Sequence, residues 1–279
     1  MKIYLSTALA AVLVLSLPAC QQQKSAGEDA AATAAAGSFE ALNGTWTVDL
    51  ASLKFQGRPD EYLLEDGNYN CVSCTPPYKI AADGTMHAVP DRAYWDSASI
   101  KAVDANTVEF HRNKGGKEVS SMTQTVSSDG QMLTTKFKDM TTPGQTIEGT
   151  GTARRVGPVV EGAHAVSGKW QQDKIADYSK DALAVTYKVA GNMVTLNSQG
   201  QSYTAEIGGP AVPVQGDTAG TSVKLTAEGN GSLKETNIRD GKEVGYGIIT
   251  PAADGKSVTY AFTDPRDGTG VTWTGNKGS

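Results

Sequence analysis

The chain contains the same unit twice. Residues 43–46 (NGTW) return in similar form at 167–170 (SGKW), and residues 116–119 (GKEV) return unaltered at 241–244. Matches that keep their order at a nearly constant spacing indicate an internal duplication, in which each copy is one structural unit. No other feature of the sequence constrains the fold as strongly.

Each copy has the pattern of a β domain. Apolar residues alternate with polar or small ones in segments such as 257–263 (SVTYAFT), which is typical of half-buried strands. Asp-Gly and Asn-Gly pairs recur between such segments and suit tight hairpins. We therefore predict an all-β fold of two tandem antiparallel units, barrel-like or sandwich-like, with about ten strands each. The predicted domains are residues 39–157 and 167–279, joined by a linker at 158–166.

The start of the chain resembles the export signal of a bacterial lipoprotein. After a single lysine, residues 3–17 are uncharged and almost wholly apolar, a run too short for a permanent transmembrane helix. Residues 17–20 (LPAC) resemble the lipobox, in which the cysteine is lipidated and becomes the first mature residue. We predict a lipoprotein signal peptide at 1–19 and lipidation of Cys20, with palmitate among its acyl chains. The alternative is an ordinary secretory signal cleaved further on.

The residues after Cys20 predict a tether and a location. Residues 20–38 contain no aromatic side chain and are rich in alanine, so they are expected to be a disordered tether. Gln21, rather than Asp, follows the cysteine, as in lipoproteins that are released to the outer membrane. We expect a monomer in the bacterial cell envelope, held to the outer membrane by its lipid anchor and facing the periplasm.

Each copy opens with a short Gly-x-Trp strand, which resembles the start of domains in the lipocalin-like superfamily. There the tryptophan closes one end of a barrel, and a basic side chain from the last strand covers it. The resemblance implies that Arg154 or Arg155 covers Trp46 by a cation–π contact. Lys277 would cover Trp170 in the same way.

Segments of the second copy also resemble a family of tandem-repeat bacterial envelope proteins. The segments are 210–217 (PAVPVQGD), 221–225 (TSVKL), 237–244 (NIRDGKEV) and 251–264 (PAADGKSVTYAFTD). That family has no assigned activity, so the resemblance implies an envelope location and a repeated β architecture without implying a reaction.

Cys71 and Cys74 form a Cys-x-x-Cys pair that the second copy lacks. Attachment of haem c would need histidine at position 75, which is threonine. A zinc site would need further ligands, and none of the three histidines has ligand-pair spacing. A thioredoxin-like redox site expects a helix in a βαβ setting. We favour a local disulfide in an oxidising compartment, with zinc and redox chemistry as alternatives.

Charge and motifs exclude several classes of function. The net charge of −5 argues against a protein that binds nucleic acid independently of its sequence. The sequence has neither a Gly-x-Ser-x-Gly elbow nor a His-Glu-x-x-His pair, and no phosphate-binding loop. The acidic stretch at 60–66 is interpreted as a solvated loop. We therefore predict no enzymatic activity, no catalytic residues, no cofactor and no metal.

Two non-enzymatic functions remain. The first is lipocalin-like binding of a small apolar ligand or an envelope component inside a β unit. The alternative is a structural or protein-interaction lipoprotein of the envelope without a small-molecule ligand. The size of the inward side chains distinguishes them, because small ones leave a cavity and large aromatic ones fill it. Thr135 corresponds to Tyr260 in the second copy, so the two interiors need not be equally open.

Overall fold

The computed structural model describes residues 39–278, and the predicted all-β fold is confirmed. Cys20, the signal peptide and the tether lie outside these residues. Within 39–278 no helix is long and apolar enough to cross a membrane. The first ten strands are β1 (Gly44–Gln56), β2 (Asp60–Glu65), β3 (Asn68–Cys71), β4 (Tyr78–Ala81), β5 (His87–Ala88), β6 (Ser97–Ala102), β7 (Thr107–Lys114), β8 (Lys117–Val126), β9 (Met132–Asp139) and β10 (Ile147–Val156).

The second ten strands repeat this series in the same order. They are β11 (Gly168–Tyr178), β12 (Ala184–Ala190), β13 (Met193–Ser198), β14 (Gln201–Glu206), β15 (Val212–Pro213), β16 (Ser222–Ala227), β17 (Leu233–Arg239), β18 (Lys242–Pro251), β19 (Ser257–Thr263) and β20 (Gly270–Lys277). Short 3-10 turns lie at Glu40–Leu42, Lys180–Leu183 and Gly229–Gly231.

The strands form two ten-stranded antiparallel sheets, each curled into a nearly closed barrel. Barrel 1 has the order β4-β3-β2-β11-β10-β9-β8-β7-β6-β5, and barrel 2 has the order β14-β13-β12-β1-β20-β19-β18-β17-β16-β15. A few backbone hydrogen bonds join the two edges of each sheet. In barrel 1 the amide of Gly84 donates to the carbonyl of Ile100 (2.9 Å), and in barrel 2 Ser202 and Gln215 exchange two such bonds.

The two copies exchange their first strands. β1 lies between β12 and β20 of barrel 2, and β11 lies between β2 and β10 of barrel 1. Barrel 1 is therefore one continuous stretch of chain, β2 to β11. Barrel 2 is assembled from both ends of the described chain, with barrel 1 inserted between β1 and β12. The barrels consequently do not coincide with the predicted domains 39–157 and 167–279, and the segment 158–166 connects two neighbouring strands of barrel 1.

Glycine is required at the start of both Gly-x-Trp strands. Gly44 and Gly168 have φ angles of 128° and 126°, a region that side chains rarely adopt. A Cβ atom at Gly168 would also lie 2.5 Å from Nη1 of Arg155. The indole N–H of Trp46 donates to the carbonyl of Leu42, and that of Trp170 to Val166, both at 2.8 Å. The same local structure is therefore built twice.

The strand exchange also changes which basic residue covers which tryptophan. The guanidinium carbon of Arg155 lies 4.1 Å from the ring centroid of Trp170, and Nζ of Lys277 lies 5.1 Å from that of Trp46. The expected pairing was thus the wrong way round, because each first strand sits beside the last strand of the other copy. Arg154 covers neither ring, and its Nε donates to Asp173 at 3.0 Å.

Each barrel has its own hydrophobic core, with a buried tryptophan in each. Trp170 packs with the buried residues of barrel 1, which include Tyr69, Ile100 and Phe110. Trp46 belongs to the larger core of barrel 2. That core also includes the buried Ile175 of β11 and partly buried Phe137 of β9, so barrel 2 packs against the side of barrel 1.

Candidate ligand-binding site

Barrel 1 contains a cavity of about 330 Å³. Phe110 of β7 and Met122 of β8 form part of its apolar wall, and Thr135 of β9 leaves space because its side chain is small. Gln124 is 4% exposed and also lines the cavity, and its Oε1 has no hydrogen-bond partner among the described residues. The cavity therefore combines apolar surface with polar atoms that are available to a bound molecule.

The corresponding space in barrel 2 is nearly full, with about 50 Å³ left. Tyr260 occupies the position that Thr135 has in barrel 1, and its ring stacks on Trp273 at a centroid distance of 5.2 Å. Gly247 stands where barrel 1 has Met122, and a Cβ atom there would overlap the Tyr260 ring. Tyr260 thus takes up space in barrel 2 that Thr135 leaves open in barrel 1, so the two interiors are unequal.

A buried carboxyl group is part of the packing in barrel 2. Glu235 is 2% exposed, and it accepts hydrogen bonds from Tyr203 (2.5 Å) and Tyr260 (3.5 Å). Burial raises the pKa of Glu235 because the charged form loses its hydration. The neutral acid is therefore favoured at this position over a wider range of pH than in an exposed glutamate.

We expect Glu235→Gln to remove a pH dependence of stability. Above about pH 4.5 the unfolded chain releases this proton while the folded protein keeps it, so wild-type stability falls by up to about 1.4 kcal/mol per pH unit until the folded pKa is reached. Glutamine keeps an oxygen for Tyr203 and does not ionise. Urea unfolding should show that the stability of the variant relative to the wild type increases as the pH rises above about 4.5. A difference in stability between the two proteins that stays constant with pH would contradict this.

The loop between β5 and β6 sends adjacent side chains into different barrels. Tyr94 points into the mouth of barrel 2, where its hydroxyl donates to Asp217 (2.8 Å) and accepts from Nη2 of Arg239 (3.1 Å). Trp95 lines the cavity of barrel 1. Each barrel mouth therefore has an aromatic residue from this one loop, and Tyr94 also borders the barrel 1 cavity.

Trp95 lies between two arginines. The guanidinium carbons of Arg92 and Arg112 lie 5.4 Å and 5.0 Å from its ring centroid, which are cation–π distances. Arg112 is near the end of β7 and lines both the 330 Å³ cavity and an adjoining cavity of about 260 Å³. The open end of barrel 1 is therefore rich in aromatic and positively charged groups.

Asp60 and Tyr62, at the start of β2, belong to the same wall. Asp60 is exposed at the cavity. Desolvation by the protein around its carboxyl raises the pKa of Asp60, and a hydrogen bond with Tyr62 opposes this change. Burial likewise raises the pKa of Tyr62 well above its usual range. The segment predicted to be a solvated acidic loop is thus mostly a strand beside the cavity, so the loop was wrong, whereas Asp60, Glu65 and Asp66 are exposed as predicted.

The predicted disulfide is confirmed and lies beside this cavity. Cys71 and Cys74 are bonded, with their Cα atoms 5.3 Å apart. Arg92 donates to the carbonyls of Thr75 and Pro76, which fixes the loop that follows the disulfide. Within residues 39–278, no group of three or more His, Cys, Asp and Glu side chains is placed to hold a metal ion.

The residues singled out from the sequence are only partly near the cavity. Cys71 and Cys74 line its entrance. Trp170 and Arg155 do not line the cavity, although Trp170 is paired with Asp60 across β11 and β2, and Trp46 and Lys277 belong to barrel 2. The cavity residues Trp95, Arg112 and Asp60 were missed. Alignment of the two copies could have found Arg112, because its counterpart is the uncharged Asn237.

Comparison with models of known protein families finds no match for this chain, and comparison with curated proteins finds none either. The resemblances to lipocalin-like domains and to tandem-repeat envelope proteins therefore rest on the sequence segments quoted above and stay predictions.

Proposed function

We propose that the protein is a non-catalytic envelope lipoprotein that binds a small apolar molecule inside barrel 1. The observation that carries the proposal is the difference between the two interiors, about 330 Å³ against about 50 Å³. Duplicated barrels begin with equivalent interiors, and here one copy keeps a cavity lined by Phe110, Met122 and Trp95. Small-molecule sites commonly have volumes of about 300–1,000 Å³ and mostly apolar walls.

The proposed location agrees with such a ligand. A lipid on Cys20 and a tether at 20–38 would hold barrel 1 close to the outer membrane, where apolar molecules collect. Both segments lie outside the described residues, so lipidation and outer-membrane location stay predictions. The lipocalin-like fold is an analogy and does not by itself establish binding.

The proposal predicts that Thr135→Tyr blocks binding. This change copies Tyr260 of barrel 2 into barrel 1, so the added ring should occupy the cavity. We expect the affinity for the neutral fluorescent probe N-phenyl-1-naphthylamine to fall at least about tenfold, since most of the space for an apolar ligand is lost. The measurement is a fluorescence titration of the chain from Gln21 onward.

Thr134→Tyr is the matched control, because Thr134 precedes Thr135 on β9 and does not line the cavity. It should bind the probe like the wild type. Native mass spectrometry of the wild type purified from its own envelope should also show a bound small mass. If the wild type shows no bound mass and does not bind the probe, but cross-links to a protein partner, the structural alternative would replace this proposal.

A further inference from the structure

Two positively charged groups meet at the entrance of the barrel 1 cavity. Arg92 and Arg112 approach Trp95 closely enough that the charge on Arg112 contributes to lowering the pKa of Arg92, after the larger effect of desolvation. Like charges this close repel each other. Holding two guanidinium groups at one site therefore lowers the stability of the folded protein. Such unfavourable arrangements of charge are common at functional sites.

Neither guanidinium group is neutralised by a carboxylate. In the described part of the chain, no carboxylate oxygen lies within 4.0 Å of a nitrogen of either arginine. Arg92 uses two of its nitrogens on backbone carbonyls. Arg112 makes no hydrogen bond to any described residue, and its buried Nε has no acceptor. An arginine that lines a cavity with all its donors unused has room for a ligand acceptor.

The nearby acids do not compensate for these charges. Asp267 forms an ion pair with Arg58 (3.5 Å), and Asp264 is bound by Arg266. Asp60 is exposed on the same wall, and when ionised it offsets only one of the two arginine charges. Asp91 attracts Arg92 only at long range and is itself exposed. The entrance thus keeps an excess of positive charge.

We propose that the molecule bound in barrel 1 is an anionic amphiphile, whose carboxylate or phosphate group binds Arg112 and Arg92 while its apolar part lies along Phe110 and Met122. This inference rests on the proposed function and adds the chemical class of the ligand. The planar guanidinium group suits both acidic groups, since its donors match two oxygens of a carboxylate or a phosphate. Barrel 2 has Asn237 in place of Arg112, and the arginine at its own mouth, Arg239, donates to Tyr94 and Thr221.

The test compares matched ligands that differ in the polar group. Octanoate, octyl phosphate and 1-octanol have the same apolar chain, and their dissociation constants can be measured by displacement of N-phenyl-1-naphthylamine or by calorimetry. We expect the wild type to bind at least one of the two anions about tenfold or more tightly than the alcohol. In Arg112→Gln this preference should disappear while the affinity for 1-octanol stays the same.

Two further variants separate the acid contact from general effects of charge and folding. Lys136→Gln removes an exposed positive charge from β9 and should leave the preference for the anion intact. Arg112→Lys keeps the charge but not the planar donors, so it should retain part of the preference. Binding of 1-octanol by each variant shows that its cavity is intact.

The remaining outcomes distinguish failure of the anionic-ligand inference from failure of the proposed function. Equal affinity for anion and alcohol in the wild type would overturn the acidic-group inference and leave apolar binding in place. If inorganic phosphate or acetate alone binds as tightly as the octyl compounds, the site takes a free anion and the amphiphile is excluded. Absence of binding by all these compounds and by the neutral probe would overturn the proposed function as well.

Discussion

A chain of residues 58–179 should fold by itself into barrel 1, whereas a chain of residues 167–278 should remain unfolded. The first contains β2 to β11, which are all the strands of barrel 1. The second lacks β1 and so lacks three buried side chains of the barrel 2 core, Trp46, Val48 and Leu53. Each such side chain contributes about 1.5–3 kcal/mol on burial, and a whole domain is stable by only about 5–15 kcal/mol. Circular dichroism and cooperative urea unfolding distinguish the two results.

A rearranged chain provides the control. β20 and β1 are antiparallel neighbours, and Lys277 is paired with Trp46. A chain that runs from residue 180 to 278, then through a short linker, and then from 39 to 57 would contain every strand of barrel 2 in order. We expect this chain to fold, as 58–179 does. If 167–278 folds without β1, or the rearranged chain does not fold, the exchange of first strands does not hold in solution.

Arg155→Met should destabilise the protein by about 3–5 kcal/mol, whereas Lys277→Met should cost less than about 1 kcal/mol. Both residues cover a tryptophan in equivalent places, but their other contacts differ. Arg155 is 8% exposed, and its side chain donates to the backbone carbonyls of Gly130 (2.6 Å), Ser167 (2.7 Å) and Ala165 (2.7 Å). Loss of the arginine leaves these carbonyls without that donor. Urea unfolding of both variants gives the comparison.

Lys277 is exposed, and its side chain makes no hydrogen bond to any residue between 39 and 278. Its contribution is therefore limited to the cation–π contact, which is worth about 0.5–1 kcal/mol at an exposed site. Arg155→Lys should give an intermediate loss, because one ammonium group cannot reach three carbonyls. Losses that agree within about 0.5 kcal/mol for the two methionine variants would mean that the tryptophan contact dominates at both sites.

The β architecture could be predicted because it depends on local pattern. Alternation of apolar and polar residues gave the strands, and Asp-Gly and Asn-Gly pairs gave many of the hairpins. The exchange of β1 and β11 could not be predicted in this way. Both strands are Gly-x-Trp copies that suit the same position in either barrel, so no local preference assigns them. The pairing of Arg155 and Lys277 was wrong for the same reason.

The cavity residues were missed for a different reason. A charged residue on a strand normally faces solvent, so a charge in the pattern does not indicate a cavity. Arg112 and Asp60 line the cavity wall, where Asp60 is exposed and Arg112 is partly buried. Trp95 lies in a loop without alternation, so the pattern gave no direction for its ring. The unequal size of Thr135 and Tyr260 was the informative signal, and it indicated the cavity without indicating its chemistry.

Barrel 1 is inserted in the sequence between β1 and β12, so the strands of barrel 2 are synthesised at two separate times. During synthesis β1 is made before barrel 1, but its neighbours β12 and β20 follow only after all of barrel 1. Barrel 1 can close while the chain is still growing, and β1 waits with both edges unpaired, which is a state prone to aggregation. Barrel 2 is completed only by β20, the last strand among residues 39–278. Any chain that stops before β20 is left with an open sheet edge on which proteases and chaperones can act.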